Sequence, residues 1–296
     1  MVVNAREELG GGSYTRVMHT PPGREALAAA VEADLVTHVA RIHEPPVGEV
    51  HRQDGAVWFI TGRPDANDNG ILRAELPDHD LDETIARLLI PFKERSLPMM
   101  WWFFTTMDGL RPSVERALDA QGLRLDSDRP GMGLDLAGFR APALPAGAVI
   151  HRVRDDEHFD AWIQVVSEAF DSPEFATGPS SVANRALGFG DDAPFRHFLC
   201  RMEDTWVGAS TLSLGSGVAG LGNISTVPAY RGRGVGTIVA AGALLDAKWL
   251  GLRIGALSAN EPGVPLYDKL GFVTVCRHLT YVWSPPASES EPVSGA

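Results

Sequence analysis

A glycine-rich loop between an extended run and an apolar helical run restricts the folds open to this chain. The stretch "ISTVPAYRGRGVGT" places Gly232, Gly234 and Gly236 directly before a long apolar segment. Glycine leaves backbone N–H groups accessible and tolerates positive φ. A loop of this kind at the start of a helix directs several amides, and the positive end of the helix dipole, onto one point. The ligand that fits such a loop is a phosphate or a pyrophosphate.

Two common phosphate-binding motifs do not match the loop. A Walker A loop requires a lysine after its last glycine, but Thr237 follows Gly236. A dinucleotide fingerprint requires G-x-G-x-x-G; Gly232 and Gly234 fit its first two places, whereas Thr237 occupies the third. A tight strand-to-helix turn without a ligand remains a structural alternative.

The loop and a second segment together resemble the GNAT acetyltransferase superfamily. "VPAYRGRGVGT" is similar to its motif A, [R/Q]-x-x-G-x-[G/A], and "NEPGVPLYDKLGF" is similar to its motif B, N-x-x-x-x-x-L-Y-x-x-x-G-F. The matching residues are Arg231, Gly234 and Gly236 in the first motif, and Asn260, Leu266, Tyr267, Gly271 and Phe272 in the second. The departures are Pro262 and Pro265 at the helix start and the lack of an acidic residue on the preceding strand.

The resemblance implies an acyl-CoA donor, most often acetyl-CoA. The histidines His151, His158 and His197 are scattered along the sequence, so we expect no metal site. Amides of the glycine loop would bind the pyrophosphate, the strand before the loop would pair with the pantetheine arm, and Asn260 would meet the pantetheine or the thioester. The implied binding residues are Ile224, Ser225, Thr226, Val227, Arg231, Gly232, Arg233, Gly234, Val235, Gly236, Thr237 and Asn260.

The implied chemistry is direct attack of a neutral amine on the thioester. Such a reaction needs a stabilised oxyanion and a proton for the leaving thiolate. The resemblance implies that Tyr267 donates this proton; the alternative is that Tyr267 is only a packed aromatic residue. The backbone N–H of Val227 or Thr226 would polarise the carbonyl. The strand "GLGNIST" carries no carboxylate to serve as base, and Asn223 and Ser225 could only hold a water.

The order of apolar patterns predicts an α/β protein with two GNAT-like domains, each a central, mixed, mostly antiparallel sheet flanked by helices. A proline- and alanine-rich segment, "FRAPALPAGAVIHRV", divides the chain. We expect a degenerate GNAT-like domain without a pyrophosphate loop at 1–141, the acyl-CoA-binding catalytic domain at 147–284, and a disordered tail at 285–296. The order of predicted elements in the first half repeats that of the second half, and Gly122 is equivalent to Gly271. The acidic segment "ELPDHDLDE" takes the place of the glycine loop.

Element patterns add two further expectations. The helix after the glycine loop is predicted to bury Ile238, Ala241, Leu245 and Trp249. The segments "LRLDSD" and "GMGLDL" read as two separate strands.

Composition limits the partners and the setting. The 296-residue chain has 44% hydrophobic residues, and its net charge of −12 disfavours binding to nucleic acid. Two cysteines, no apolar leader in "MVVNAREELGGGSYTR" and no membrane-spanning run predict a cytoplasmic protein without a membrane partner. We expect a monomer or a homodimer with a small-molecule amine acceptor. Two alternatives are a non-catalytic acyl-CoA-binding or regulatory module and a protein N-acetyltransferase.

Overall fold

The computed structural model describes residues 20–105 and 111–286, which form seven α-helices, eleven strands and several short 3-10 helices. The first half contains α1 (Arg24–Ile42), β1 (Glu49–Gln53), β2 (Ala56–Ile60), β3 (Asn69–Ala74), α2 (Leu81–Glu94), β4 (Met99–Phe104), α3 (Arg111–Ala120) and β5 (Arg124–Asp135). The second half contains β6 (Ala148–Arg152), α4 (Asp156–Phe170), α5 (Pro179–Leu187), β7 (Phe195–Met202), β8 (Thr205–Ser213), β9 (Ala219–Thr226), α6 (Val235–Trp249), β10 (Ile254–Ser258), α7 (Val264–Leu270) and β11 (Val273–Trp283). The stretch without an apolar leader, and the predicted tail from residue 287 onward, lie outside the described residues.

The strands of both halves form one sheet, in the order β1-β2-β3-β4-β11-β5-β10-β9-β8-β7-β6. β11 lies between β4 and β5 and is antiparallel to both, while β5 also pairs with β10. Each half therefore places its last strand inside the sheet of the other half. The predicted mixed, mostly antiparallel α/β sheet flanked by helices is confirmed. The predicted division at residues 141–147 coincides with a loop between β5 and β6, and as a domain boundary it stays a prediction.

Helices cover both faces of the sheet. Ser210 of β8 donates a hydrogen bond to the Val239 carbonyl in α6. Its neighbour Thr211 points to the opposite face, where His197 lies 4.4 Å from the Trp162 ring of α4. Successive residues of a strand point to opposite faces, so α4 and α6 lie on opposite sides of the sheet. Within the described ranges, each helix is too short or too polar to cross a lipid bilayer.

The buried face of α6 differs from the prediction at two positions. Ile238 and Ala241 are buried as expected, but Leu245 is 48% exposed and Trp249 is 82% exposed, while Leu244 is fully buried. The helix is apolar around most of its circumference. Spacing alone therefore did not identify the face that packs on the sheet.

The two halves repeat one arrangement of elements. In each half a strand leads to a helix, a second strand runs parallel to the first, and a short helix follows. The parallel pairing spans only two residues per strand in both halves: Gly70 and Ile71 with Met100 and Trp101, and Ala219 and Gly220 with Gly255 and Ala256. Gly122 (φ 87°) and Gly271 (φ 92°) follow the two short helices in the left-handed conformation, as the sequence predicts.

A buried carboxyl group joins the first half to the second. Asp34 of α1 is 3% exposed and accepts hydrogen bonds from Ser213 and, at 3.3 Å, from Ser216. It lies so close to Gly220 of β9 that a Cβ on this glycine would approach the carboxylate oxygens to 2.0 Å. Burial raises the pKa of Asp34 to about 7, and the two serine hydroxyls oppose that rise.

Candidate acyl-CoA site

A cleft opens where β9 and β10 separate. Their pairing ends at Gly220 and Ala256, so the rest of β9 has no hydrogen-bonded neighbour on this side. On its other side, the Val227 amide donates to the Val207 carbonyl at 3.0 Å. Because amides alternate between the two edges of an antiparallel strand, the amides of Ile224 and Thr226 point into the cleft. An extended chain could therefore pair with this edge of β9.

The glycine loop forms the floor of the cleft at the start of α6. Gly232 and Gly234 have φ values of 75° and 80°, and nothing lies within 4 Å of where a Cβ would stand on either. Gly234 caps α6, and no side chain caps it. The amides of the first turn therefore have no partner within the helix and point outward. The third glycine has a different reason: a Cβ on Gly236 would meet Leu266 Cδ1 of α7 at 2.8 Å.

The loop, the edge of β9 and the start of α7 enclose a cavity of about 620 Å³. Ten of the predicted binding residues line it: Ile224, Ser225, Thr226, Arg231, Gly232, Gly234, Val235, Gly236, Thr237 and Asn260. The remaining lining residues are Ala169, Phe170, Pro262, Gly263, Leu266 and Lys269, which sequence reasoning did not assign to the site. Leu266 and Lys269 belong to the second motif. The positive charge of Lys269 within that motif is the signal that could have placed this residue at the site.

The two arginines of the loop have different surroundings. The Arg231 guanidinium donates to the Ala169 carbonyl at 2.7 Å and to the Thr226 carbonyl at 3.3 Å. These bonds tie the loop to the end of α4 and to β9. Arg233 lies over the ring of Tyr230, 5.0 Å from its centroid, and does not line the cavity.

Asn260 has a structural role in the second motif. Its Oδ1 accepts a hydrogen bond from the Gly263 amide at 2.9 Å and thereby caps the turn Glu261–Gly263 that precedes α7. The carbonyl oxygen of the side chain is engaged in this bond, which leaves the Nδ2 group available at the wall of the cavity.

Tyr267 lies beside the cavity without lining it. Its ring meets Phe272 edge-on, with 6.0 Å between the centroids, and packs against the main hydrophobic core. Burial raises the pKa of the Tyr267 hydroxyl to about 12, so this group keeps its proton at neutral pH. A phenol in this state can donate a proton and cannot act as a base.

The polar groups near the cleft on β9 are neutral. Ser225 is 4% exposed, and its Oγ has no partner among the described residues. Of the two amides predicted to polarise the carbonyl, that of Val227 is engaged with β8, whereas that of Thr226 points into the cleft. No group of three or more His, Cys, Asp or Glu side chains in the part of the chain that the structure describes is placed to hold a metal ion.

Comparisons with known proteins agree with this geometry. Residues 159–272 match the model of the acetyltransferase (GNAT) family. The match supports the GNAT acetyltransferase family. It spans the cleft, the glycine loop and α7, and it ends at Phe272. No curated protein matches the chain in sequence.

Solved structures with GNAT folds cover nearly the whole chain. A GCN5-related N-acetyltransferase from Kribbella flavida is 15% identical, with a TM-score of 0.67 over 89% of this chain and 97% of that one. One from Sphaerobacter thermophilus is 15% identical, with a TM-score of 0.62 over 90% and 98%. A tandem GNAT protein from the clavulanic acid biosynthesis pathway is 13% identical, with a TM-score of 0.57 over 91% and 98%. At these identities the likeness shows the fold.

Proposed function

We propose that the protein transfers an acetyl group from acetyl-CoA to the amine of a small molecule by direct attack. The observation that carries this proposal is that the start of α6 and the unpaired edge of β9, both of which offer free backbone amides, line the same cleft. The outward amides of the α6 start suit a pyrophosphate, and the unpaired edge of β9 suits the amide groups of a pantetheine arm. Acyl transfer from acyl-CoA is the activity that the GNAT family suggests.

In this proposal each element of the cleft has one task. The glycine loop holds the pyrophosphate, and Arg231 keeps the loop against β9 and α4. The Thr226 amide polarises the thioester carbonyl and stabilises the oxyanion that develops on attack. Tyr267 donates its proton to the leaving thiolate. The strand carries no carboxylate, so the proton of the attacking amine leaves through water.

We assign the donor site to the second half of the chain, at 147–284, and a degenerate role to 1–141. At the equivalent place in the first half, a cavity of about 600 Å³ lies at the start of α2. Its lining includes Asp80, Asp82 and Glu83. Carboxylates at this position repel a pyrophosphate, whereas the glycine loop attracts it. The solved structure described as a tandem GNAT protein supports the same layout.

Binding and transfer are tested separately. Calorimetric titration with acetyl-CoA measures binding, and release of free thiol in the presence of a panel of amines measures transfer. Gly234→Val should abolish binding because a β-branched residue is strained at φ 80° and its side chain would cover the amides. Gly217→Val, the same substitution at φ 78° in the turn between β8 and β9, is the matched control. Retained binding by Gly234→Val would contradict the assignment of the loop.

A second candidate is a module that binds acyl-CoA without transferring it. The absence of a carboxylate from β9 favours this alternative. It predicts acetyl-CoA binding by the unmodified protein and no thiol release with any amine. If release occurs only with peptide amines, the protein N-acetyltransferase alternative replaces the small-molecule acceptor.

A further inference from the structure

Three polar side chains from neighbouring strands form a hydrogen-bonded chain on the α4 side of the sheet. His197 Nδ1 of β7 lies 3.0 Å from Thr211 Oγ1 of β8, and Asn223 Nδ2 of β9 lies 3.3 Å from the same oxygen. His197 and Thr211 are each 1% exposed, while Asn223 is half-buried. This row of hydrogen-bonded side chains therefore extends from the core of the second half to β9, the strand that borders the cleft.

Asn223 has an unusual backbone at this place. Its φ is 51°, and the pairing of β8 with β9 shifts register between Ala209 and Thr211, opposite this residue. Positive φ is uncommon outside glycine, although asparagine tolerates it better than most residues. Asn223 lies beyond the end of the β9–β10 pairing and directly before Ile224 and Ser225, which line the cavity. The backbone irregularity thus lies beside the acyl-CoA cleft.

The hydrogen bonds orient the Asn223 amide. Thr211 Oγ1 accepts from Asn223 Nδ2 through one lone pair, and the tautomer of His197 decides whether the hydroxyl donates its proton to Nδ1 or accepts from it. His197 Nε2 is buried without a hydrogen-bond partner among the described residues. Nε2 belongs to a ring whose centroid lies 4.4 Å from that of Trp162 and 5.3 Å from that of Phe159. Aromatic faces are negative and favour an N–H over a lone pair.

The imidazole does not change its charge in the physiological range. Burial is the main cause that lowers the pKa of His197 to about 3, and the neighbouring His38 lowers it further. The aromatic surroundings favour the proton on Nε2, so Nδ1 accepts a hydrogen bond from the Thr211 hydroxyl. Thr211 Oγ1 in turn accepts from Asn223 Nδ2 and turns this end of the amide toward β8. The carbonyl oxygen Oδ1 of Asn223 makes no hydrogen bond within the described residues, and Asn223 directly precedes the cavity-lining Ile224.

We propose that Asn223 Oδ1 accepts a hydrogen bond from the amine of the acyl acceptor, and that Thr211 and His197 are positioning residues that fix this orientation. The inference rests on the proposed function and names the residue that recognises its acceptor. An amide oxygen accepts an N–H while leaving the amine lone pair for attack, and it cannot take the proton away. The site therefore selects an acceptor nitrogen that carries at least two hydrogens, one for Asn223 and one to lose.

We test the role of Asn223 in binding the acceptor by steady-state kinetics, with an amine that is active in the thiol-release panel. Thr211→Val removes the hydroxyl at nearly constant volume and leaves the Asn223 amide free to turn. We expect the KM for the amine to rise about tenfold, the size of one lost hydrogen bond. The KM for acetyl-CoA should not change, and kcat should stay within about twofold because no group that transfers a proton is lost. Thr211→Ser restores the hydroxyl and should restore the KM.

Ser210→Ala is the matched control, since it removes a buried hydroxyl from the same strand on the opposite face. It should leave the KM for the amine unchanged. An equal rise in both KM values, or a rise in Ser210→Ala as large as in Thr211→Val, would indicate a general loss of packing and overturn the proposal.

A spectroscopic measurement tests the orientation without any activity. Nitrogen NMR of histidine-labelled protein, assigned with His197→Gln, should show the neutral Nε2–H tautomer of His197 between about pH 5 and pH 8. An Nδ1–H tautomer would make Thr211 accept from the imidazole and free the hydroxyl proton for the Asn223 side chain, so the orientation of Asn223 would no longer be fixed and the proposal would be overturned. Absence of thiol release with every amine would instead refute the proposed function, and the NMR result would be unaffected.

Discussion

The buried carboxyl group of Asp34 makes the free energy of unfolding depend on pH. Its pKa is about 7 in the folded protein, against an ordinary value near 3.8. Between these two values the folded state keeps the proton and the unfolded state loses it, so the unfolded state binds fewer protons. The free energy of unfolding therefore falls as pH rises through this window, and the loss levels off above pH 7. Asp34→Asn keeps an oxygen that accepts from Ser213 and removes the ionisation.

The size of the effect follows from the shift in pKa. Each pH unit inside the window changes the free energy of unfolding by about 1.4 kcal/mol per titrating group. Between about pH 5 and pH 8 the wild-type protein should lose roughly 2.5 kcal/mol relative to Asp34→Asn, because about two units of that interval lie inside the window. Urea unfolding of both proteins at several pH values measures the difference directly. Other titrating groups are common to both proteins and cancel.

Glu25→Gln is the control, because it removes an exposed carboxyl group from the same helix. The comparison with Asp34→Asn separates burial from the loss of one negative charge. Unfolding free energies of wild type and Asp34→Asn that stay parallel from about pH 5 to pH 8 would refute the reasoning. Such a result would mean that the carboxyl group is hydrated and that α1 does not pack on β9 as described.

Three further substitutions test the site and the core. Gly236→Ala should cost no more than about 1 kcal/mol in thermal unfolding and weaken acetyl-CoA binding in calorimetry, because the new methyl group displaces the end of the Leu266 side chain that lines the cavity; unchanged binding would show that Leu266 moves aside without altering the site. Tyr267→Phe should lower the rate of acyl transfer by about 10²–10⁴ without changing acetyl-CoA affinity, and an unchanged rate would remove Tyr267 as the acid. Arg196 and Asp246 form a largely buried ion pair with 2.6 Å between guanidinium and carboxylate. Arg196→Met leaves that carboxylate without its partner and should lower the free energy of urea unfolding by about 3–5 kcal/mol. A loss below about 1 kcal/mol would show that the pair is solvated.

Local patterns predicted most elements but not how strands associate. Apolar periodicity identifies α2 and α4, because their buried residues recur at helical spacing. It missed β1, although the Asp54–Gly55 pair before β2 is a common hairpin turn and both residues have positive φ. It split β5 in two at Pro130, where the strand in fact continues between β10 and β11. The placement of β11 between β4 and β5 depends on pairing across the whole chain, which no local pattern encodes.

The site was predictable where backbone geometry defines it. Glycines that need positive φ or a close approach are visible in a sequence, and Gly232, Gly234 and Gly236 all have such a reason. Side-chain contacts across strands are not visible in this way. His197 and Thr211 read as ordinary strand residues, and only the sheet brings them into one hydrogen-bonded chain.

The interleaving of β11 has a consequence for synthesis on the ribosome. Strands β4 and β5 leave the ribosome early, yet the strand that bridges them is not made until residues 273–283. Until then the apolar strand Met99–Phe104 presents an unpaired edge of the kind that pairs with other chains. The time taken to translate the second half therefore sets how long this edge stays open to association with other chains.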